Sequence, residues 1–260
     1  SYTNTVTDNA TTVTITAGGL QDLTEGSVTM TADVSDAAGN AAAQVTSSAF
    51  TYDMTAPTVS ATMSDSALKS GETATLTITF SEAVTAFANA DLTIPNGSLT
   101  AVSSADGGTT WTATYTPDAD VEDTSNVISI ATSYTDLAGN AGAAGQTANF
   151  EIDTLLPTIT SITSDTNDGS YNQGDEINVI ATFSEAVSLS GGNFVITLDS
   201  GGTVTITSIT SSTTANGTYT VGAGQTSADL TAASIALSAG SLSDAAGNAA
   251  TPVVRTVNVL

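Results

Sequence analysis

Apolar and polar residues alternate along most of this chain with a period of two. Ala74-Thr-Leu76-Thr-Ile78-Thr-Phe80 is apolar at every second position, with threonine between. Trp111-Thr-Ala113-Thr-Tyr115-Thr, Val28-Thr-Met30-Thr-Ala32 and Val204-Thr-Ile206-Thr repeat the arrangement. That period predicts strands with one face in a core and one in water, not helices. Clusters such as Asp106-Gly-Gly and Ala215-Asn-Gly217 separate the runs and predict turns.

Three markers recur at nearly fixed spacing and organise the chain. Asp-x-Ala-Gly-Asn occurs at 36–40, 136–140 and 244–248. An Asp followed four residues on by Pro-Thr occurs at Asp53 and again at Asp153. Phe-Ser-Glu-Ala-Val spans 80–84 and 183–187. The order of the markers predicts two complete units, 54–153 and 154–260, and a partial one, 1–53, that corresponds to the C-terminal half of a unit. Several short strands per unit predict an all-β architecture: tandem immunoglobulin-like antiparallel β-sandwiches, two complete and one partial. Trp111 and the phenylalanines are expected to fill the cores.

Charge narrows the function. The 260 residues hold 26 Asp and Glu against two basic residues, Lys69 and Arg255, for a formal net charge of −24. Nucleic-acid binding is excluded, because it rests on many Lys and Arg displacing counterions from phosphates. There is no cysteine and no histidine, so Ser-His-Asp and Cys-His catalysis, zinc fingers and disulfide staples are excluded. No apolar run is long enough to span a bilayer, so no membrane insertion is expected. Ser1 opens no signal peptide, so an export signal is expected elsewhere, or the chain is an excised piece. Threonine makes up roughly a fifth of the residues, which favours strands.

The motifs also match something familiar. Residues 57–153 resemble the bacterial Ig-like modules strung in tandem through large RTX-type and biofilm adhesins. The likeness is carried by Ser-Gly-Glu-Thr-Ala-Thr-Leu (70–76), Phe-Ser-Glu-Ala-Val (80–84), Thr-Trp-Thr-Ala-Thr-Tyr-Thr-Pro (110–117) and Tyr-Thr-Asp-Leu-Ala-Gly-Asn (134–140). Residues 159–250 are similar to a sister module, through Asp168–Asp175, Thr182–Val187, Ser227–Leu230 and Ser243–Asn248. The resemblance implies a secreted, extracellular segment at the bacterial cell surface, extending or adhesive, and rigidified by calcium. The first 53 residues depart from it, since they lack the strand-opening half of a module.

In an Ig-like sandwich the first strand starts at the pole where the second ends and the sixth turns into the seventh. The three acidic markers are therefore expected to meet at the entrance of each complete unit, on the joint with the unit before. The candidates are Asp53, Glu82 and Asp136 at one joint and Asp153, Glu185 and Asp244 at the other. Two carboxylates ~6 Å apart repel by roughly 2–3 kcal/mol at an effective dielectric of ~20. Either they splay into solvent as ordinary turn and surface residues, or a cation sits among them. An all-oxygen ligand set selects a hard ion such as Ca²⁺. The glycine of Asp-x-Ala-Gly-Asn can turn a backbone carbonyl inward, which adds the carbonyls of Asn140 and Asn248 as candidate ligands. Asp165-Thr-Asn167-Asp168-Gly169 only half resembles an EF-hand loop. Asp118, Asp120, Glu122 and Asp123 form an acidic loop, read as solvated and donating at most one ligand to the next joint.

The expected function is a structural and adhesive stalk, with neighbouring Ig-like modules as partners and Ca²⁺ at the joints. A second reading is a subunit of an extracellular filament or surface layer, its half unit completed by an adjacent chain. A third is a module that binds a surface, a glycan or ice through its threonine faces. No enzymatic activity is expected: the acidic loop lacks a cleft, a sugar platform and a carboxylate pair on separate strands.

Overall fold

The protein is described from a computed structural model, in which residues 23–36, 38–251 and 259 are defined. Among them the regular structure is strands and a single 3₁₀ turn, Asn89–Asp91. Among the described residues no helix is long and apolar enough to cross a membrane.

In the middle of the chain, Val59–Met63, Ala74–Phe80, Thr110–Pro117 and Gly97–Leu99 pair antiparallel in that order. The second layer is shorter and broken. Glu122–Asn126 pairs with Phe150–Asp153, and Ala67–Lys69 runs parallel to Phe150–Asp153 on its other side. Gly145–Gln146, Ser129–Ile130 and Leu92–Thr93 form a further ladder. Alternation explains the packing. Ala74, Leu76, Ile78 and Phe80 are buried while Thr75 and Thr79 face water. They meet Tyr115, Ile128, Tyr134, Phe150 and Ile152 in one core, where each large apolar side chain contributes roughly 1.5–3 kcal/mol. With no disulfide, that packing carries the sandwich.

A second core is built from Ile162, Val179, Phe183, Phe194, Ile196, Leu198, Val204 and Tyr219. One sheet here is Ile159–Ser164, Glu176–Ser190 and Ser212–Thr220; the other is Thr203–Ile206, Phe194–Leu198 and Ala232–Leu237. The long strand Glu176–Ser190 pairs with Ser212–Thr220 at first and with Ser241–Ser243 at its end, and its register shifts between Thr182 and Val187. Phe-Ser-Glu-Ala-Val is thus where the strand gives up one partner for another. In the middle unit the same motif falls between Ala74–Phe80 and Val84–Thr85, which pair with different partners. Such irregularities redirect a side chain, and Glu82 and Glu185 occupy them.

Two expectations are corrected. Val28-Thr-Met30-Thr-Ala32 does not bury a face: Gly26–Val28 pairs with Phe50–Tyr52 and Thr31–Ala32 with Val45–Thr46, but Met30, Val34 and Phe50 are 47%, 51% and 37% exposed. Alternation supplies an apolar face, but burial needs a second sheet to cover it, and among the described residues none does. Trp111 is only half-buried, packed against the core with its Nε1 donating to the Gly108 carbonyl at 3.0 Å. The aromatic residues fully enclosed in that core are Tyr115, Tyr134 and Phe150.

Candidate metal centre

Each Asp-x-Ala-Gly-Asn forms the same closed turn. Asp136 Oδ1 accepts the amides of Gly139 and Asn140 at 2.7 and 2.8 Å, and its Oδ2 accepts Asn140 Nδ2 at 2.7 Å. Asp244 does the same with Gly247 and Asn248, at 2.7, 2.8 and 2.9 Å. Gly139 and Gly247 have φ of 96° and 94°, a region that favours glycine. The carbonyls of Asn140 and Asn248, expected as ligands, accept the amides of Asp136 and Asp244 and close the turn. The side chains reach further: Asn140 Nδ2 donates to the Asp53 carbonyl at 3.3 Å, and Asn248 Nδ2 to the Asp153 carbonyl at 2.9 Å. One asparagine therefore ties the turn of each complete unit to the aspartate of the linker that enters it.

Around these ties the carboxylates converge. Asp53, Glu82 and Asp136 place one oxygen each within 4.8 Å of the others, and so do Asp153, Glu185 and Asp244. Asp136 and Asp244 are buried and the other four are half-buried. Glu185 Oε1 is enclosed and has no hydrogen-bond partner among the described residues.

The electrostatics follow from this crowding. Burial, then the charges of Asp53, Asp136 and Glu25, push the Glu82 carboxyl above its ordinary range. Burial, then Asp244, Asp153 and Glu122, does the same to Glu185. Asp153 is also raised, by burial and then by Asp244, against the amide of Leu155. Asp136 goes the other way: burial opposes its charge, but the hydrogen bonds of its turn outweigh that and lower it. The first cluster thus pairs an aspartate held ionised by its turn with a glutamate that resists ionisation, and in the second Glu185 and Asp153 both resist it. A cation would relieve that conflict. Two oxygens bound to one Ca²⁺ at its usual distances lie up to about 5 Å apart, so the spacing fits a single ion.

The preceding unit adds a glutamate to each joint. Glu25 lies one step beyond the Gly26–Tyr52 pair, and its carboxylate accepts Met54 N at 2.9 Å and Thr55 Oγ1 at 2.7 Å. Glu122 pairs with Asp153 in the ladder and raises Asp153 and Glu185. Glu122 came from the acidic loop; Glu25 escaped the sequence reading. Its signal was an acid placed opposite the linker aspartate across a strand pair, visible only once the pairing is known. Of the rest of that loop, Asp123 accepts Asn96 Nδ2 at 2.8 Å. Asp165 of the half EF-hand segment accepts Asn178 Nδ2 and joins no carboxylate cluster among the described residues. At Asp36 the same turn recurs, with Asn40 Nδ2 donating to Oδ2 at 2.8 Å, but no second carboxylate joins it among the described residues.

Residues 53–152 match the family described as bacterial Ig-like domain. The middle unit is a bacterial Ig-like domain. The matched stretch runs from one linker aspartate to the edge of the next, so the family's unit is the one the markers delimit. No curated protein sequence matches the chain. Among solved structures, the chain is similar to the Escherichia coli adhesin FdeC, at 14% identity and a TM-score of 0.40, over 89% of this chain and 74% of that one. It is also similar to a DUF4785 family protein from Legionella pneumophila, at 13% identity and a TM-score of 0.33, over 77% of this chain and 56% of that one. The Ig-like domain and the unit after it share the Phe-Ser-Glu-Ala-Val and Asp-x-Ala-Gly-Asn motifs, and with them the same carboxylate cluster.

Proposed function

We propose that this chain is an extracellular structural and adhesive segment of a bacterial surface protein, a run of Ig-like units whose joints are stiffened by Ca²⁺. The supporting observation is the same three-carboxylate cluster at two successive joints, each drawing on the linker, the strand-switching motif and the closing turn. A site spanning a linker and the unit it enters couples ion binding to the angle between units. Asp53, Glu82 and Asp136 would hold one ion, and Asp153, Glu185 and Asp244 the other. Glu25 and Glu122 contribute charge from the unit before, which raises affinity for a divalent cation. The acidic surface, with 26 carboxylates against two basic residues, keeps the threonine-faced strands soluble and discourages edge-to-edge pairing. Nothing in this reading calls for catalysis.

Calorimetric titration with CaCl₂ tests the reading. Two ions per chain are expected, falling to one in Glu82→Gln and to one in Glu185→Gln. Heats indistinguishable from dilution at millimolar Ca²⁺ would overturn it.

A further inference from the structure

The last unit differs from the middle one at the end away from its carboxylate cluster. In the middle unit residues 118–121 alone join Thr110–Pro117 to Glu122–Asn126, and the connection from Met63 to Ala74 contains the strand Ala67–Lys69. In the last unit the first of these connections grows to residues 221–231, between Ser212–Thr220 and Ala232–Leu237, and the second, residues 165–175, forms no strand. Loops of changed length on a rigid sandwich are where binding sites arise. Between these two lies a cleft of about 680 Å³, within the range of small-molecule sites, roughly 300–1,000 Å³. Ile177 on its floor begins the strand Glu176–Ser190, whereas Glu185 lies where that strand shifts register, so cleft and cluster are separate.

The cleft is neutral at its base and acidic at its rim. Buried Tyr219 donates from its hydroxyl to Gln225 Oε1 at 2.9 Å and pairs with Ser200 Oγ at 3.0 Å. Its ring has room because residue 202 is glycine, whose Cβ would strike it. Gln225 Oε1 also accepts the Gly222 amide at 2.7 Å, which leaves Gln225 Nε2 as a donor with no acceptor among the described residues. Tyr171 packs on the core and lines one wall. Asp168 and Asp229 line the cleft from exposed positions. The longer loop is pinned, since Ser227 Oγ and the Thr231 amide both donate to Asp199, at 2.7 and 3.1 Å. Groups held in place before a ligand arrives lose little on binding it. An anionic ligand would meet two carboxylates and, among the described lining residues, no basic side chain. A sugar matches the lining better: its hydroxyls suit the amide and the carboxylates, and its C–H faces suit tyrosine rings.

We propose that this cleft binds a neutral saccharide, with Gln225 and Asp229 as hydrogen-bonding residues and Tyr171 as the apolar platform. The proposal rests on the adhesive part of the function above, for which it names a ligand class, and on none of the cation ligands.

An array of immobilised neutral and sialylated glycans tests it, with the full chain applied in Ca²⁺ and in EDTA. Retention on a subset of neutral glycans is expected, equal in the two buffers and with no gain from sialic acid. Gln225→Ala should weaken that retention about tenfold, as for the loss of a hydrogen bond that leaves its partner unsatisfied. Asp229→Ala, at an exposed position that the fold tolerates, should weaken it severalfold and keeps the test decisive if Gln225→Ala folds poorly. No retention on any neutral glycan would overturn the proposal. Retention unchanged in both variants would overturn it too, and would move binding to another surface such as the threonine faces. So would displacement of the chain by choline chloride, which would mark a cation site. The CaCl₂ titration is read without sugar, so a failed array beside normal heats overturns the cleft and not the cation.

Discussion

The two joints carry the same carboxylates but are secured differently. At the second, the Ser70 amide of the preceding unit donates to Asn248 Oδ1 at 2.8 Å, and a Cβ on Gly247 would stand 3.3 Å from Lys69 Nζ. Thr154 locks the linker by donating to the carbonyls of Asp118 and Val121, its hydroxyl to the first and its amide to the second, each at 2.7 Å. Glu122 is therefore left to add its charge to the cluster. At the first joint the linker is held by Glu25 itself, and among the described residues no loop reaches Asn140 Oδ1. The physical reason is that the loop that carries Lys69 and Ser70 belongs to the front half of a unit, which the described residues of the first segment do not supply. A joint thus has a hydrogen-bonded fastening that needs a complete preceding unit, and a carboxylate cluster, the proposed ion-dependent fastening, that does not. The first joint is expected to lean on the cation for its rigidity, and the second to bind it more tightly.

The largest expected effect is that of the ion. Ca²⁺ at about a hundred times its dissociation constant stabilises by about 2.7 kcal/mol per site, a rise of roughly 10–20 °C for a unit of this size. Differential scanning calorimetry in Ca²⁺ and in EDTA reads it. Glu82→Gln should abolish the rise for the middle unit, Glu185→Gln that for the last, and each should slightly raise the EDTA value by removing repulsion. Next comes the turn. Asp244→Ala frees three donors, two of them on buried Asn248, and should lower the EDTA melting temperature of the last unit by roughly 5–10 °C. Equal melting of this variant and the wild type would remove the turn from the account.

Smaller again is the contrast between the asparagines. Asn248→Ala breaks bonds to Asp153, Asp244 and Ser70, whereas Asn140→Ala breaks only those to Asp53 and Asp136. The first should cost about 1 kcal/mol more in EDTA; equal losses would erase the distinction between the joints. The smallest effect is that of pH. Glu82, Glu185 and Asp153 have raised pKa values, so their ionised forms weigh against the fold. Without divalent ions, stability should rise by a few °C as pH falls from neutral toward the ordinary carboxylate range of about 4. Asp136 is lowered, so its contribution is complete above that range and is lost only below it. In Ca²⁺ the sign should invert between neutral pH and about 5, as protons compete for the ligands. Thermal melts across that window in both buffers check it.

The clusters were legible because each of their parts follows from a rule that holds in a single sequence. Alternation gave strands, the repeat gave units, and sandwich topology brought Asp53, Glu82 and Asp136 to one pole. What stayed hidden depends on pairing between distant segments. Glu25 matters because a ladder sets it beside the linker, 28 residues away in sequence from Asp53. Asn140 and Asn248 read as candidate ligands through their backbone carbonyls, and only the folded chain shows their Nδ2 groups reaching the linker carbonyl. Met30 and Phe50 carry the pattern of a core, but pattern states only which face is apolar, not whether a partner sheet covers it.

The central claim is that a divalent cation fixes the angle between successive units, more so at the first joint. The chain has no cysteine, so spin labels can be set at Ser27 and Thr75 to span the first joint, and at Thr75 and Thr218 to span the second. Pulsed electron resonance should give a narrow distance distribution for both pairs in Ca²⁺. In EDTA both should broaden, the Ser27–Thr75 pair by the larger factor. Distributions that stay the same when Ca²⁺ is withdrawn would contradict the account.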